Sequence, residues 1–126
     1  MRFSFWPIAR QSWDDVLTLA RHVERTGWDG VWYADHFMPN TPDASDPCHE
    51  AWTTVAALAA SVPRVRIGTL VAGNTYRHPA VVANMAATID HISGGLRSEG
   101  PRQNRMAGRI RSRPGRNVDL RALVHE

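Results

Sequence analysis

Short apolar segments alternate with longer amphipathic segments from the amino terminus to Gly95, in a unit of about thirty residues. The apolar segments lie at residues 2–6, 30–34 and 65–71, and apolar residues recur at three- and four-residue steps between them. A β-α-β-α-β-α order with right-handed crossovers places the strands parallel in one sheet. The sequence therefore predicts an α/β fold whose first 95 residues form three βα units.

Boundary signals place the three predicted helices. Ser12 precedes two carboxylates, and its hydroxyl is placed to accept a hydrogen bond from a backbone N–H three residues on. Gly27 provides the left-handed conformation that ends a helix. We expect Pro47 in the first turn of the second helix and Pro79 at the start of the third, which the glycines at 94–95 end.

The pattern changes after residue 95, where a fourth apolar segment would follow. Residues 1–96 hold seven Arg and nine Asp/Glu, whereas residues 97–126 hold eight Arg and three Asp/Glu. All ten aromatic residues lie at or before Tyr76. We therefore expect a domain at 1–95 and a divergent Arg-rich tail at 96–126, frameshifted or disordered. A charge run without interleaved aromatics favours no specific nucleic-acid binding.

Length and composition exclude several classes of protein. With 126 residues the chain is too short for a complete α/β barrel, which needs about 200 residues. Cys48 is the single cysteine, so no intrachain disulfide forms. No apolar stretch reaches the length of about 18 residues that a membrane span requires, and the first residues lack the apolar core of a signal peptide. We expect a cytoplasmic chain without a membrane partner.

The segment Asp35-His36-Phe37 directly follows the second predicted strand. Ligands of parallel α/β folds bind at the carboxyl ends of strands, so a histidine there is placed for proton transfer or for hydrogen bonding to a cofactor. A loop histidine that caps a helix or faces solvent is the alternative interpretation.

Two further segments lie at the end of the third predicted strand and after it. Residues 69–75 are mostly small, which lets the backbone approach a bound ring closely; an ordinary exit from a strand is the alternative. Arg77 precedes a helix start and could receive an anion there, or it could be a solvated side chain beside a simple cap. The positions of Cys48, His49 and the neighbouring histidines match no metal-site spacing.

Several short segments of residues 1–95 together form a specific pattern by their order and spacing, namely residues 27–32, 34–37, 50–54, 66–71, 76–80 and 87–95. Through these segments the chain resembles the bacterial luciferase-like flavin- or deazaflavin-F420-dependent oxidoreductases. The Ala-Asp-His turn and the Thr-Tyr-Arg-His-Pro segment are most similar to the F420-dependent branch.

The resemblance implies a (β/α)8 TIM-type barrel with a cofactor ring across the carboxyl ends of its strands. It implies hydride transfer between F420 and a small-molecule organic substrate. His36 matches the family's active-site histidine, and Asp35 matches a cofactor-contacting neighbour. Leu70 and Val71 fall where the family often carries a non-prolyl cis peptide beneath the ring. Within the stretch of mostly small residues at 69–75, Asn74 and Thr75 are also predicted to bind the cofactor.

The chain departs from the family pattern after Gly95. The family continues with Arg, an apolar strand and a Gly-x-Gly turn, whereas Leu96-Arg97-Ser98 stands here. The expectation is therefore a truncated, incomplete barrel that is inactive alone and self-associates through open sheet edges. An FMN-dependent luciferase-like monooxygenase is the alternative enzyme, and a non-catalytic remnant or interaction module is the alternative of another class.

Overall fold

Three strands alternate with three helices in the computed structural model, which describes residues 1–43 and 45–94. The predicted tail at 96–126 and the end of the predicted domain at Gly95 lie outside the described residues. The elements are β1 (Ser4–Phe5), α1 (Trp13–Arg25), β2 (Gly30–Tyr33), α2 (Ala51–Ser61), β3 (Arg66–Thr69) and α3 (Pro79–Ile92).

The strands form one parallel sheet in the order β1-β2-β3, which confirms the predicted α/β arrangement. Ser4 is paired with Gly30 at the start of β2, and Tyr33 is paired with Thr69 at its end. The N–H of Leu70 continues this ladder by donating to the Tyr33 carbonyl at 2.9 Å. The chain therefore leaves β2 and β3 side by side, at the end of the sheet where the carboxyl ends of the strands lie. This end is called the carboxyl edge of the sheet below.

The first helix follows its boundary signals. Ser12 is the N-cap of α1, and its hydroxyl accepts from the N–H of Asp15 at 3.2 Å, as predicted. Gly27 has a φ of +78°, a conformation that L side chains rarely adopt, and it follows the C-cap Thr26. Both predicted ends of this helix are confirmed.

The start of the second helix differs from the prediction. The helix begins at Ala51, so Pro47 lies before it and not in its first turn. Glu50 is the N-cap, and its carboxylate accepts from the N–H of Trp52 at 3.2 Å and of Thr53 at 2.6 Å. These bonds satisfy N–H groups that have no partner within the helix, which fixes the start at Glu50.

The third helix begins at Pro79, as predicted. The ring of His78 caps it by accepting from the N–H of Ala80 at 3.2 Å, and Gly94 follows its end with a φ of +73°.

No helix within residues 1–43 and 45–94 is long and apolar enough to cross a membrane.

The core lies between the sheet and the helices. Its central side chains are fully buried and come from β2, β3, α1 and α2, with smaller contributions from α3. The largest of them are Tyr33, Leu58, Ile67, Val16, Val31, Val55 and Val62. This core packs against β2 and β3, whose carboxyl ends carry the candidate site.

Candidate functional site

Exposed apolar and ionisable side chains lie where the chain leaves the paired strands β2 and β3. His36 is exposed two residues after the buried Ala34, and Leu70 and Val71 are exposed directly after β3. A cis peptide bond joins Leu70 to Val71, at the position that the family resemblance indicates. Ligands of parallel α/β folds bind at the carboxyl ends of the strands, so these exposed side chains define the candidate site.

His36 presents its imidazole to solvent while its backbone is held. Its carbonyl accepts a hydrogen bond from the Cys48 thiol, with 3.4 Å between sulfur and oxygen. Within the described part of the chain the imidazole itself makes no hydrogen bond. The ring is therefore accessible to a bound molecule.

Asp35 lies beneath this surface, with only 1% of its side chain exposed. Its two carboxylate oxygens accept from Arg77, at 2.7 Å and 3.0 Å. One of them also accepts from the N–H of Gly73 at 3.0 Å. The carboxylate is thus turned inward and joins the end of β2 to the loop after β3. Direct contact between Asp35 and a cofactor stays a prediction.

Arg77 fits neither interpretation offered by the sequence. Its side chain is only 14% exposed, and besides Asp35 it contacts Glu50 at 2.6 Å. Burial alone would lower the pKa of Arg77, but hydrogen bonding and charge attraction to Asp35 and Glu50 raise it above its usual value. The group is a guanidinium held between two carboxylates, so it is neither solvated nor free to receive an anion.

Glu50 completes this cluster. In the sequence it is part of the segment 50–54, which carries the family resemblance, and no role was predicted for it. Burial would raise its pKa, but hydrogen bonds from Thr53, Trp52 and Arg77 outweigh that effect and lower the pKa below the usual value. A carboxylate just before an apolar helical run was the available signal for the cap. Its pairing with Arg77, 27 residues away, left no local signal.

An aromatic pair lies beside the charged cluster. The rings of Phe37 and Tyr76 stack with their centroids 4.2 Å apart and their planes 23° apart. Phe37 is 61% exposed and Tyr76 is 43% exposed, so the stack stands on the surface. The Arg77 guanidinium carbon lies 5.8 Å from the Phe37 ring centroid, within cation–π range. The pair connects the same two segments as the ion pair does.

The remaining predicted contacts lie in the turn that follows β3. Asn74 and Thr75 are exposed there, and the N–H of Tyr76 donates to the Gly73 carbonyl at 3.1 Å. The Gly73 N–H bonds to Asp35, so the turn is attached to the same edge of the sheet as His36. Cofactor binding by Asn74 and Thr75 stays a prediction.

Tyr33 lies at the end of β2 beneath the site, fully buried, and sequence reasoning singled it out only as a strand residue. Its hydroxyl donates to the Ala9 carbonyl at 3.1 Å. Burial raises its pKa to about 12; Cys48 adds to the rise, and a hydrogen bond with Thr54 opposes it.

No group of three or more potential metal ligands lies within residues 1–43 and 45–94.

Comparison with known proteins gives one consistent assignment. The model of the luciferase-like monooxygenase family matches residues 1–95. An F420-dependent glucose-6-phosphate dehydrogenase of Amycolatopsis mediterranei is 39% identical over 83 residues, which are 64% of this chain and 24% of that protein. The oxygenase component of a flavin-dependent trigonelline monooxygenase of Acinetobacter baylyi is 30% identical over 86 residues, 68% of this chain and 23% of that protein. The chain thus spans about a quarter of the length of these relatives.

A solved structure agrees with this assignment. An F420-dependent secondary alcohol dehydrogenase, in complex with an F420–acetone adduct, superposes with a TM-score of 0.62 at 28% sequence identity. The match covers 76% of this chain and 31% of the other. The three βα units therefore have the arrangement found in that enzyme.

Proposed function

Because this chain belongs to the luciferase-like monooxygenase family, we propose that its three βα units carry part of the site of an F420-dependent oxidoreductase. The reaction is hydride transfer between the deazaflavin and a small organic substrate. The observation that carries the proposal is the exposed His36 imidazole after the carboxyl end of β2, together with the exposed Leu70 and Val71 at the end of the paired strand β3.

The described residues fit a planar cofactor at this edge. Leu70 and Val71 offer an apolar surface against which one face of a ring would pack and lose water. The turn at 73–76 would approach its rim with small and polar groups. When bound, F420 supplies hydride donor and acceptor chemistry. His36 would hold or move the proton that the substrate gains or loses, because its ring nitrogens are free at the surface.

FMN is the second candidate cofactor, and the flavin-dependent trigonelline monooxygenase among the relatives favours it. The same apolar surface and the same imidazole would serve an isoalloxazine ring. Titration of the purified chain with F420 and FMN, followed by cofactor fluorescence, ranks the two. We expect a lower dissociation constant for F420 than for FMN. A lower dissociation constant for FMN would make FMN the cofactor and would contradict the F420 proposal.

A pair of histidine variants tests the proposed site. His36→Ala removes one hydrogen-bonding group, so we expect cofactor affinity to fall about two- to tenfold. His91→Ala is the matched control, because His91 is also exposed but lies in the last turn of α3, toward the opposite edge of the sheet. Equal affinities of the two variants for F420 and FMN would contradict the role of His36.

A further inference from the structure

Arg77 joins three separate segments of the chain at the carboxyl edge of the sheet. It donates to both oxygens of Asp35 after β2, at 2.7 Å and 3.0 Å, and to Glu50 before α2, at 2.6 Å. Arg77 itself lies in the loop after β3, and the Gly73 N–H of that loop bonds to the same Asp35 carboxylate. One guanidinium therefore fixes the relative position of these three segments.

A second connection runs beside the ion pair. Phe37 and Tyr76 stack at 4.2 Å, and each is within two residues of a member of the Asp35–Arg77 pair. His36 stands between the two connected residues, Asp35 and Phe37. The backbone on both sides of His36 is thus attached to the loop after β3, while its imidazole is left open.

We propose that Arg77 is the positioning residue for His36 and for the Phe37–Tyr76 stack. This inference rests on the function proposed above for His36. Arg77 acts through Asp35 and Glu50 and does not touch the cofactor. Its planar fork donates to two carboxylates at once, which the single ammonium of a lysine does not reproduce.

The geometry opposes a direct role of Arg77 in binding an anion. Its side chain is 14% exposed and contacts two carboxylates, whose summed charge exceeds its own. A phosphate arriving there would have to displace Glu50 and would meet the negative charge of Asp35. The cluster is built to hold segments together.

The test compares Arg77→Lys and Arg77→Met with the wild-type 126-residue chain and with Arg64→Lys. Arg64 is the matched control, because it also pairs with a carboxylate, Glu24, at 3.1 Å, but its side chain is 75% exposed and lies away from the site. Nuclear magnetic resonance follows the His36 imidazole and the ring-current shifts of Phe37 and Tyr76. Each spectrum is recorded under conditions in which circular dichroism shows that the variant is folded. Titration with F420, and with FMN for comparison, gives the cofactor affinity.

Arg77→Lys is expected to move the His36 signals, to reduce the ring-current shifts and to weaken F420 binding about tenfold. Arg64→Lys is expected to leave all three unchanged. If Arg77→Met does not fold, Arg77→Lys alone decides. A folded Arg77→Lys variant with wild-type His36, Phe37 and Tyr76 signals would overturn the proposal, even if its unfolding midpoint fell. The resonance comparison needs no cofactor, so a wild-type chain that binds neither F420 nor FMN would refute the proposed function separately.

Discussion

Glu50 shows how one residue can serve both an element and a site. Its carboxylate caps α2 through the N–H groups of Trp52 and Thr53, and it also accepts from Arg77. Each bond favours the charged form of the carboxylate, which is why its pKa is lowered although burial would raise it. The start of α2 and the position of Arg77 therefore both depend on one ionised group.

A pH dependence follows from Glu50. Since its pKa is lower in the folded chain than in the unfolded chain, its stabilising effect is complete above the unfolded value of about 4.5 and is lost as the pH falls through the folded value. Glu50→Gln should therefore lower the urea midpoint at pH 7, with a difference from wild type that shrinks in acid. A difference that stayed constant between the two conditions would contradict this assignment.

Tyr33 gives a dependence at the alkaline end. Its pKa is raised to about 12, first by burial and then by Cys48, so the fold disfavours the tyrosinate form. Its contribution is fully present below the unfolded pKa of about 10 and is lost as the pH rises toward 12. Tyr33→Phe removes this titration and the hydrogen bond to Ala9, so we expect lower stability at neutral pH, by about 0.5–1.5 kcal/mol.

Urea unfolding at pH 9 and pH 11 is the measurement for Tyr33. The wild-type chain is expected to lose more stability between the two conditions than Tyr33→Phe does. Equal losses in both proteins would show that another group governs the alkaline transition.

At the scale of the elements, the sequence predicted those helix boundaries that depend on neighbouring residues. The Ser12 cap, the left-handed Gly27 and the start at Pro79 all depend on groups within a few residues, and the structure has all three. The start of α2 was missed because Pro47 satisfies a weak positional preference, whereas the Glu50 carboxylate satisfies two N–H groups directly.

The candidate site divides in the same way. The exposure of His36 at the end of β2 agrees with the sequence pattern, because strand order alone brings it to the carboxyl edge. The Asp35–Arg77 pair spans 42 residues, and no local pattern reports it. Only the tertiary approach of the loop after β3 to the end of β2 creates that contact.

The turn after β3 provides a prediction at this scale. A Cβ at Gly73 would overlap the ring of Tyr76, so Gly73→Ala must displace that ring. We expect the mutual ring-current shifts of Phe37 and Tyr76 to fall, while Thr75→Ala, a matched change in the same turn, leaves them in place. Unchanged shifts in Gly73→Ala would mean that the turn adapts without moving Tyr76.

At the scale of the whole molecule, the sheet formed by residues 1–43 and 45–94 has two edge strands, β1 and β3, and each has one edge without a partner strand in this part of the chain. There β1 and β3 each pair with β2 alone. Strands left at an edge and apolar surface left exposed both favour association with other chains. Phe3 and Trp28, near the amino ends of β1 and β2, are half exposed and add to this surface.

The last prediction concerns the activity of the 126-residue chain by itself. We expect self-association and little or no turnover with F420 or FMN, because the described residues supply three strand ends, whereas a TIM-type barrel supplies eight. His36 can offer a proton, but catalysis requires ring and substrate to be oriented to within about an ångström. Sedimentation, cofactor titration and a hydride-transfer assay on one preparation check this. Stoichiometric tight binding by a monomer, with turnover that His36→Ala abolishes, would instead show that these three units form a working enzyme.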